Sequence, residues 1–168
     1  RRIALAAAAT IARRPQAIAL SGGTTTTEVA RYLADRSELT IITNAINIAM
    51  ELTMRPRLRV FVTGGVMRSE SYELVGAWSE RFLESLNLGV AIMGVDGISA
   101  QGGLTTHDAI EARTNQRMIE RAQRGVEPAA ECRLLRLSPR KSPVESETWG
   151  HRATSLPGRR IATHAMGR

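Results

Sequence analysis

Four short apolar runs, separated by helical patterns, divide the first 124 residues of the chain. The runs are Ala17–Leu20, Leu39–Thr43, Val60–Thr63 and Val90–Gly94. Around them, apolar residues recur three or four positions apart, which places them on one face of a helix. The predicted helical faces are Ile3, Ala7 and Ile11; Val29 and Leu33; Ile46, Ala49, Met50 and Thr53; Trp78, Phe82 and Leu86; and Ile110, Thr114, Met118 and Ala122. Because parallel strands need crossover connections, this alternation predicts an α/β fold with a mostly parallel sheet flanked by helices.

The amino-acid composition argues against several classes of protein. Hydrophobic residues make up 43% of the 168 residues, which is enough for a core, so we do not expect a disordered chain. No apolar run approaches the roughly 20 residues that span a bilayer, and no signal-peptide pattern is present. Cys132 is the only cysteine, so it offers neither an internal disulfide nor the ligand spacing of a zinc site. We expect a cytoplasmic protein without membrane partners, metal ions or cofactors.

The net charge of +7 is unevenly distributed along the chain. Residues 1–124 carry 15 basic and 12 acidic residues, whereas residues 125–168 carry 8 and 4. The basic residues of the first part are dispersed, and a DNA-binding face usually clusters them on one element. We therefore do not expect these residues to bind DNA directly.

The segment SGGTTTT, Ser21–Thr27, is the most informative motif. Gly22 and Gly23 let the backbone turn after a strand and approach a ligand closely. The threonines then open a helix whose free N–H groups and positive dipole end favour an anion such as phosphate. A glycine turn with a threonine N-cap and no ligand is the alternative. Four threonines exceed the needs of one cap, so phosphate binding is the favoured interpretation.

Further polar segments follow the other predicted strands. Ligands of open α/β sheets bind beyond the carboxyl ends of the strands, which singles out Thr43-Asn44, Gly64-Gly65 and Asp96–Thr106. Asp96 and Glu111 are a possible acid/base pair or, equally economically, acceptors for sugar hydroxyls. We interpret His107 as a loop residue. No nucleophile elbow accompanies these residues, so we predict no catalytic residues.

Six motifs in order resemble the effector-binding domain of DeoR-family bacterial transcriptional regulators. They are SGGTTTTEVARYL, TIITNAINIA, VTGGVMR, ELVG, GVDGIS and GGLTTHDAIEA followed by MI, all within residues 1–124. The resemblance implies a Rossmann-like fold shared with ribose-5-phosphate isomerase and glucosamine-6-phosphate deaminase. It also implies a sensor of a phosphorylated sugar or related metabolite, which controls DNA binding by a winged helix-turn-helix absent from this chain, and a homo-oligomer.

The resemblance carries the family's ligand loops onto definite positions. The implied ligand- and phosphate-binding residues are Ser21, Gly22, Gly23, Thr24, Thr25, Thr26, Thr43, Asn44, Gly64, Gly65, Arg68, Asp96, Gly97, Gly102, Thr105 and Glu111. Three departures accompany this match: Ser21 replaces a common Asp, Asn115 replaces a common Lys, and no Asp-x-Ser-Lys motif follows Asp108. A sugar-phosphate isomerase or deaminase on the same fold remains the alternative function, beside a fragment that binds nothing.

Residues 125–168 differ in character from the preceding sequence. They contain four of the six prolines and many Arg and Ser residues, without a sustained helical or strand period. A disordered extension is the simplest interpretation. Out-of-frame translation of a GC-rich gene would give a similar amino-acid sequence. A functional basic arm is the third interpretation. We predict a sensor domain over residues 1–124, incomplete at its C-terminal end, and a divergent tail over residues 125–168.

Overall fold

A mostly parallel sheet with helices on both faces forms the centre of the molecule. The computed structural model describes residues 1–99, 103–128, 135–139 and 161–163. In chain order the elements are α1 (Arg2–Ala9), β1 (Gln16–Leu20), α2 (Thr24–Leu33), β2 (Leu39–Thr43), α3 (Ile46–Thr53), β3 (Arg59–Val62), β4 (Val66–Arg68), β5 (Glu73–Val75), α4 (Ala77–Glu84), β6 (Leu88–Ile92), β7 (Gly97–Ser99), β8 (Gly103–Thr106), α5 (Ala109–Arg121), β9 (Ala122–Pro128), β10 (Leu135–Pro139) and β11 (Ile161–Thr163).

The main sheet has the strand order β10-β9-β6-β1-β2-β3 among the described residues. The neighbouring pairs are parallel except β10 with β9. The chain leaves β1 toward β2 and β3 on one side, then returns through β6 to the other side of β1. The order of strands therefore reverses between β1 and β6. This arrangement confirms the predicted α/β fold.

Two hairpins lie beside this sheet in the described part of the chain. The strands β4 and β5 pair antiparallel, and so do β7 and β8, with β11 parallel to β8. The apolar-run pattern did not predict either hairpin. Their strands are only three or four residues long, too short for a clear alternation of apolar and polar residues.

Apolar side chains pack on both faces of the sheet. Ile18 and Leu20 of β1 pack with α1, α2 and α3, while Ala19 of the same strand belongs to the cluster that contains Leu83 of α4 and Met118 of α5. Successive residues of a strand point to opposite faces, so β1 contributes to both clusters. Strands buried on both faces appear in the sequence as continuous apolar runs, which is why the sequence predicted β1, β2 and β6.

The predicted helical faces are only partly correct. Trp78 is 75% exposed, Met50 68% and Ile110 52%, although each was assigned to the apolar face of its helix. In α4 the buried residues are Ser79, Glu80 and Leu83 instead. The hydroxyl of the buried Ser79 is hydrogen-bonded to that of Thr63 at 2.6 Å. The buried face of α4 therefore contains two polar residues, and Trp78 is not part of it.

The strand β9 crosses the predicted boundary after residue 124. Its residues Gly125 and Val126 pair with Ala91 and Ile92 of β6, and its end pairs with β10. The rest of the predicted tail, residues 129–134, 140–160 and 164–168, lies outside the described residues. The division of the chain after residue 124 stays a prediction. Within the described ranges, no helix has the length and apolar character required to cross a membrane.

Candidate functional site

A cavity of about 800 Å³ lies at the carboxyl ends of β1 and β6. This is where the strand order reverses, the position at which open α/β sheets bind ligands. Its lining contributes hydroxyl, carboxylate and guanidinium groups. The lining residues are Gly22, Gly23, Thr24, Thr25, Thr27, Glu28, Arg31, Asn47, Arg68, Glu70, Ser71, Tyr72, Glu73, Gly94, Val95, Asp96, Thr106, His107 and Glu111.

The loop after β1 directs the amino end of α2 toward this cavity. Gly23 is the N-cap residue with φ +116°, a backbone conformation that glycine adopts readily. The cap makes no side-chain hydrogen bond, and the first turn of α2 contains no acidic residue. The positive end of the helix dipole is therefore not neutralised by its own cap, and Thr24 and Thr25 line the cavity beside it. An anion fits this arrangement of amides and hydroxyls.

Two buried hydroxyls hold the same loop in place. The Ser21 hydroxyl accepts a hydrogen bond from the backbone N–H of Gly94 at 2.8 Å. The Thr26 hydroxyl donates to the carbonyls of Gly22 and Gly23 at 2.8 and 2.9 Å. Ser21 and Thr26 are fully buried and do not line the cavity. Ser21 and Thr26 thus support the loop through these hydrogen bonds, whereas Thr24 and Thr25 line the cavity.

The backbone amide at the start of this loop donates a hydrogen bond to a buried carboxylate. Glu73, only 2% exposed, accepts a hydrogen bond from the Gly22 N–H with Oε1 at 2.5 Å. Burial and the nearby charge of Glu111 raise the pKa of the Glu73 carboxyl to about 7, although the Gly22 hydrogen bond lowers it. A Cβ on residue 22 would lie 2.6 Å from Cγ of Glu73. A side chain at position 22 would therefore collide with Glu73.

A second carboxylate is held on the opposite wall by α5. Glu111 accepts from the Thr106 hydroxyl at 2.7 Å, and its other oxygen lies 3.5 Å from Nε of Arg68. The guanidinium of Arg68 also pairs with Asp108 at 2.5 Å. Asp108 caps α5 by accepting from the backbone N–H groups of Ile110 and Glu111. Asp108 is therefore the N-cap of α5, while the Glu111 side chain binds Thr106 and Arg68.

Asp96 and His107 form a pair at the mouth of the cavity. The Asp96 carboxylate accepts from the His107 backbone N–H at 2.9 Å and lies 2.7 Å from its Nδ1. Because a carboxylate only accepts, Nδ1 carries the shared proton. Partial burial opposes ionisation of Asp96, yet the hydrogen bonds from His107 lower its pKa. Each member of the suggested pair thus has another partner: Asp96 bonds to His107, and Glu111 bonds to Thr106 and Arg68.

The outer wall of the cavity is formed by α2 and α3. Arg31 donates to both oxygens of Glu51 at 2.8 and 2.9 Å and also pairs with Glu28. The amide of Asn47 donates to the Thr27 hydroxyl at 3.1 Å. Both arginines that line the cavity are therefore already paired with carboxylates.

The structure brings together seven of the sixteen predicted site residues. Those that line the cavity are Gly22, Gly23, Thr24, Thr25, Arg68, Asp96 and Glu111. Gly102 lies outside the described residues. The others, Ser21, Thr26, Thr43, Asn44, Gly64, Gly65, Gly97 and Thr105, lie elsewhere in the fold.

Several of the residues that do not line this cavity make defined contacts within the fold. The Thr43 hydroxyl donates to the Leu20 carbonyl, and Asn44 is fully buried. Gly64 and Gly65 have positive φ and line a separate cavity with Trp78. In the β7–β8 hairpin, Gly97 is opposite Thr105.

Several lining residues were not predicted. Thr106, one residue after the predicted Thr105, lines the cavity because alternate strand residues face opposite sides. Thr27 ends the threonine run, and Glu73 begins the ELVG motif. Both therefore lie within motifs that the sequence analysis identified. His107 was interpreted as a loop residue; its hydrogen bonds to Asp96, eleven positions away, are long-range and carried no local signal.

Asn115, the second departure from the family pattern, does not line the cavity. It is buried in α5, and its Oδ1 has no hydrogen-bond partner within the described structure. Within the same residues, no three His, Cys, Asp or Glu side chains are grouped so that they could hold a metal ion.

Comparison with protein families gives one match to residues 1–127, the DeoR C-terminal sensor domain. The similar curated proteins include a putative aga operon transcriptional repressor of Escherichia coli, 35% identical over 107 residues, covering 64% of this chain and 40% of that protein. The HTH-type transcriptional regulator GlpR of Haloferax volcanii is 34% identical over 123 residues, covering 73% and 48%. The chain thus spans less than half the length of these relatives.

Solved structures support the same fold. Ribose 5-phosphate isomerase A of Methanocaldococcus jannaschii superposes with a TM-score of 0.52 at 14% identity, covering 77% of this chain and 52% of that chain. Ribose 5-phosphate isomerase of Plasmodium falciparum gives 0.51 at 10% identity, with 76% and 52% covered. At these identities the likeness shows a shared fold. Because the family match covers three quarters of the sequence, the chain belongs to the C-terminal sensor domains of DeoR-family transcriptional regulators.

Proposed function

We propose that this chain is the effector-binding domain of a cytoplasmic transcriptional regulator and that its cavity binds a phosphorylated sugar or related metabolite. The amino end of α2, which has no capping side chain and opens into the cavity, carries this proposal. It would receive the phosphate. Glu111 and Asp96 line the same cavity and offer acceptors for sugar hydroxyls.

The regulatory part of the proposal rests on the named relatives. Three of them are an aga operon repressor, a regulator named GlpR and a glycerol-3-phosphate regulon repressor of Escherichia coli. We propose that this domain likewise biases DNA binding by a helix-turn-helix outside these 168 residues. Ligand binding would act by favouring one of two conformations of the regulator.

A thermal-shift panel tests effector binding. Sugar phosphates should raise the melting temperature of the protein, whereas the matched unphosphorylated sugars should raise it much less. A ligand present at about 100 times its dissociation constant adds about 2.7 kcal/mol to the free energy of unfolding. If no phosphorylated sugar shifts the melting curve, the proposed effector class is wrong.

A sugar-phosphate isomerase or deaminase is the second candidate. The observation in its favour is Glu73, a buried carboxyl with a pKa near 7 that lines the cavity and has the character of a general base. We favour binding without turnover, because Glu73 already holds the Gly22 N–H. Conversion of aldose phosphates to ketose phosphates, followed by NMR, would instead establish the enzyme.

We also propose that the domain forms a homo-oligomer. Support comes from large apolar side chains exposed near the sheet edge at β3: Phe61 is 49% exposed, Val66 71% and Trp78 75%. An exposed apolar patch of this kind commonly marks an interface. Light scattering of the protein and of Trp78→Ser tests this, since the variant should shift toward a smaller species.

A further inference from the structure

The backbone N–H of Gly22, at the start of the loop before α2, donates a hydrogen bond to a carboxylate of the protein itself. The Glu73 Oε1 accepts its hydrogen bond at 2.5 Å. Cγ and Cδ of the same side chain lie 2.6 and 2.8 Å from the position that a Cβ of residue 22 would take. Glu73 is therefore packed against the glycine loop at the amino end of the helix, and both line one cavity.

The neighbours of Glu73 do not neutralise its charge. Arg68 approaches Glu111, not Glu73, and its remaining ion pairs are with Asp108 and Glu70. The side chains of Ser71 and Asn44 lie close enough to lower the pKa of Glu73, but neither makes a well-formed hydrogen bond in the described structure. An ionised Glu73 therefore places an uncompensated negative charge beside the site proposed for the phosphate.

We propose that Glu73 determines the affinity of the cavity for anionic effectors, because its carboxyl group lies at the Gly22 N–H and admits a phosphate only while the carboxyl is uncharged. This inference rests on the proposed anion site at α2. Two negative charges in one partly buried cavity repel each other strongly. Binding of the anion is then accompanied by retention or uptake of a proton on Glu73.

The expected size of the effect follows from the protonated fraction. With a carboxyl that titrates near pH 7, about nine tenths of the molecules are competent at pH 6 and about one tenth at pH 8. The apparent dissociation constant varies inversely with the competent fraction. It should therefore rise about tenfold between pH 6 and pH 8.

Radiolabelled sulfate is the probe, because its charge does not change over this range. Equilibrium dialysis at constant ionic strength should give the tenfold rise for the unmodified protein. In Glu73→Gln, which keeps an acceptor for the Gly22 N–H, the affinity should be independent of pH and at least as high as that of the parent at pH 6. Loss of the pH dependence with retained binding supports the proposal.

Two control variants separate Glu73 from the other titratable groups of the cavity. The other carboxyl groups are those of Glu28, Glu70, Asp96 and Glu111, and the imidazole is that of His107. Glu70→Gln removes a carboxylate whose side chain is 76% exposed at the rim, and His107→Gln removes the imidazole. Both variants should keep the tenfold ratio between pH 6 and pH 8. If the ratio disappears in either of them, the titrating group is not Glu73 and the proposal is wrong.

The remaining outcomes also discriminate. Sulfate binding that is equally tight at pH 6 and pH 8 in the parent overturns the role of Glu73 but leaves the anion site intact, and this result needs no variant to fold. Persistence of the pH dependence in Glu73→Gln overturns it as well. Absence of sulfate binding at every pH would contradict the anion site itself, and the role of Glu73 with it.

Discussion

The hydroxyl of Ser21 accepts a hydrogen bond from the backbone N–H of Gly94 at 2.8 Å and thereby joins the two loops that meet between β1 and β6. The Ser21 N–H also donates to the Ile92 carbonyl at 3.1 Å. A Cβ on Gly94 would lie 2.5 Å from the Gly22 carbonyl oxygen. The two loops therefore touch directly, and their relative position fixes one end of the cavity.

Replacing Ser21 by alanine should destabilise the fold. The substitution leaves the partly buried Gly94 N–H without its acceptor, which costs about 1 kcal/mol, the lower end of the range for a buried donor. Urea denaturation of Ser21→Ala measures this against Ser85→Ala, whose hydroxyl makes an exposed bond to the Phe82 carbonyl and should change stability by less than about 0.5 kcal/mol. Equal stabilities of the two variants would show that the loop contact contributes nothing.

Two neighbouring threonines should separate binding from stability. Thr25 lines the cavity, so Thr25→Ala should weaken binding of a phosphorylated ligand by about 1.5–3 kcal/mol, the contribution of a hydrogen bond to a charged group. Thr26 is buried and bonded to the loop carbonyls, so Thr26→Ala should chiefly lower the melting temperature. Titration calorimetry and thermal unfolding of both variants check this, and the reverse pattern would contradict the assignment of Thr25 to the site.

The pH dependence of stability should reveal Glu73. Its pKa is raised from 4.5 to about 7 in the folded protein, so between these values the folded state binds more protons than the unfolded state. The contribution of Glu73 to stability is therefore most favourable below pH 4.5 and declines as the pH rises through about 7. Glu73→Gln should raise the free energy of unfolding relative to the parent at pH 8 more than at pH 5. A constant difference at both pH values would show that the carboxyl does not titrate abnormally.

Shortening the chain tests the boundary after residue 124. Gly125 and Val126 of β9 pair with Ala91 and Ile92 of β6, which lies next to β1 in the sheet. A chain ending at residue 124 should therefore melt at a lower temperature than one ending at Pro128. Identical melting curves would mean that these last pairs of the β6–β9 ladder do not contribute, and would favour the boundary predicted from composition.

The sequence predicted the strands better than the faces of the helices. Ile41 and Ile42 are buried on opposite faces of β2, so a simple apolar run located the strand. In α4, by contrast, Glu80 is buried beside Arg113, with 3.3 Å between Oε2 and Nη2, while Trp78 is exposed. Spacing alone cannot show which polar residue finds a buried partner, because the partner lies far away in sequence.

The same limit applies to the candidate site. The glycine–threonine loop was recognisable because its turn and helix start are local. Glu73 reaches Gly22 across 51 positions, and His107 reaches Asp96 only because the β7–β8 hairpin brings them together. Such contacts follow from the topology of the chain and leave no periodic trace in the sequence.

Calorimetric titration of a sugar phosphate and its unphosphorylated sugar tests the effector site most directly, using two glycine variants. Gly23 and Gly64 both have positive φ, +116° and +73°, so valine strains the backbone at either position. Gly23 begins α2 at the cavity, whereas Gly64 lines a separate one.

We expect the parent and Gly64→Val to bind the sugar phosphate, with at least tenfold weaker binding of the unphosphorylated sugar. Gly23→Val should lose the preference for the phosphorylated compound while remaining folded by circular dichroism. Equal affinity of the parent for both compounds, or an unchanged preference in Gly23→Val, would contradict a phosphate site at the amino end of α2.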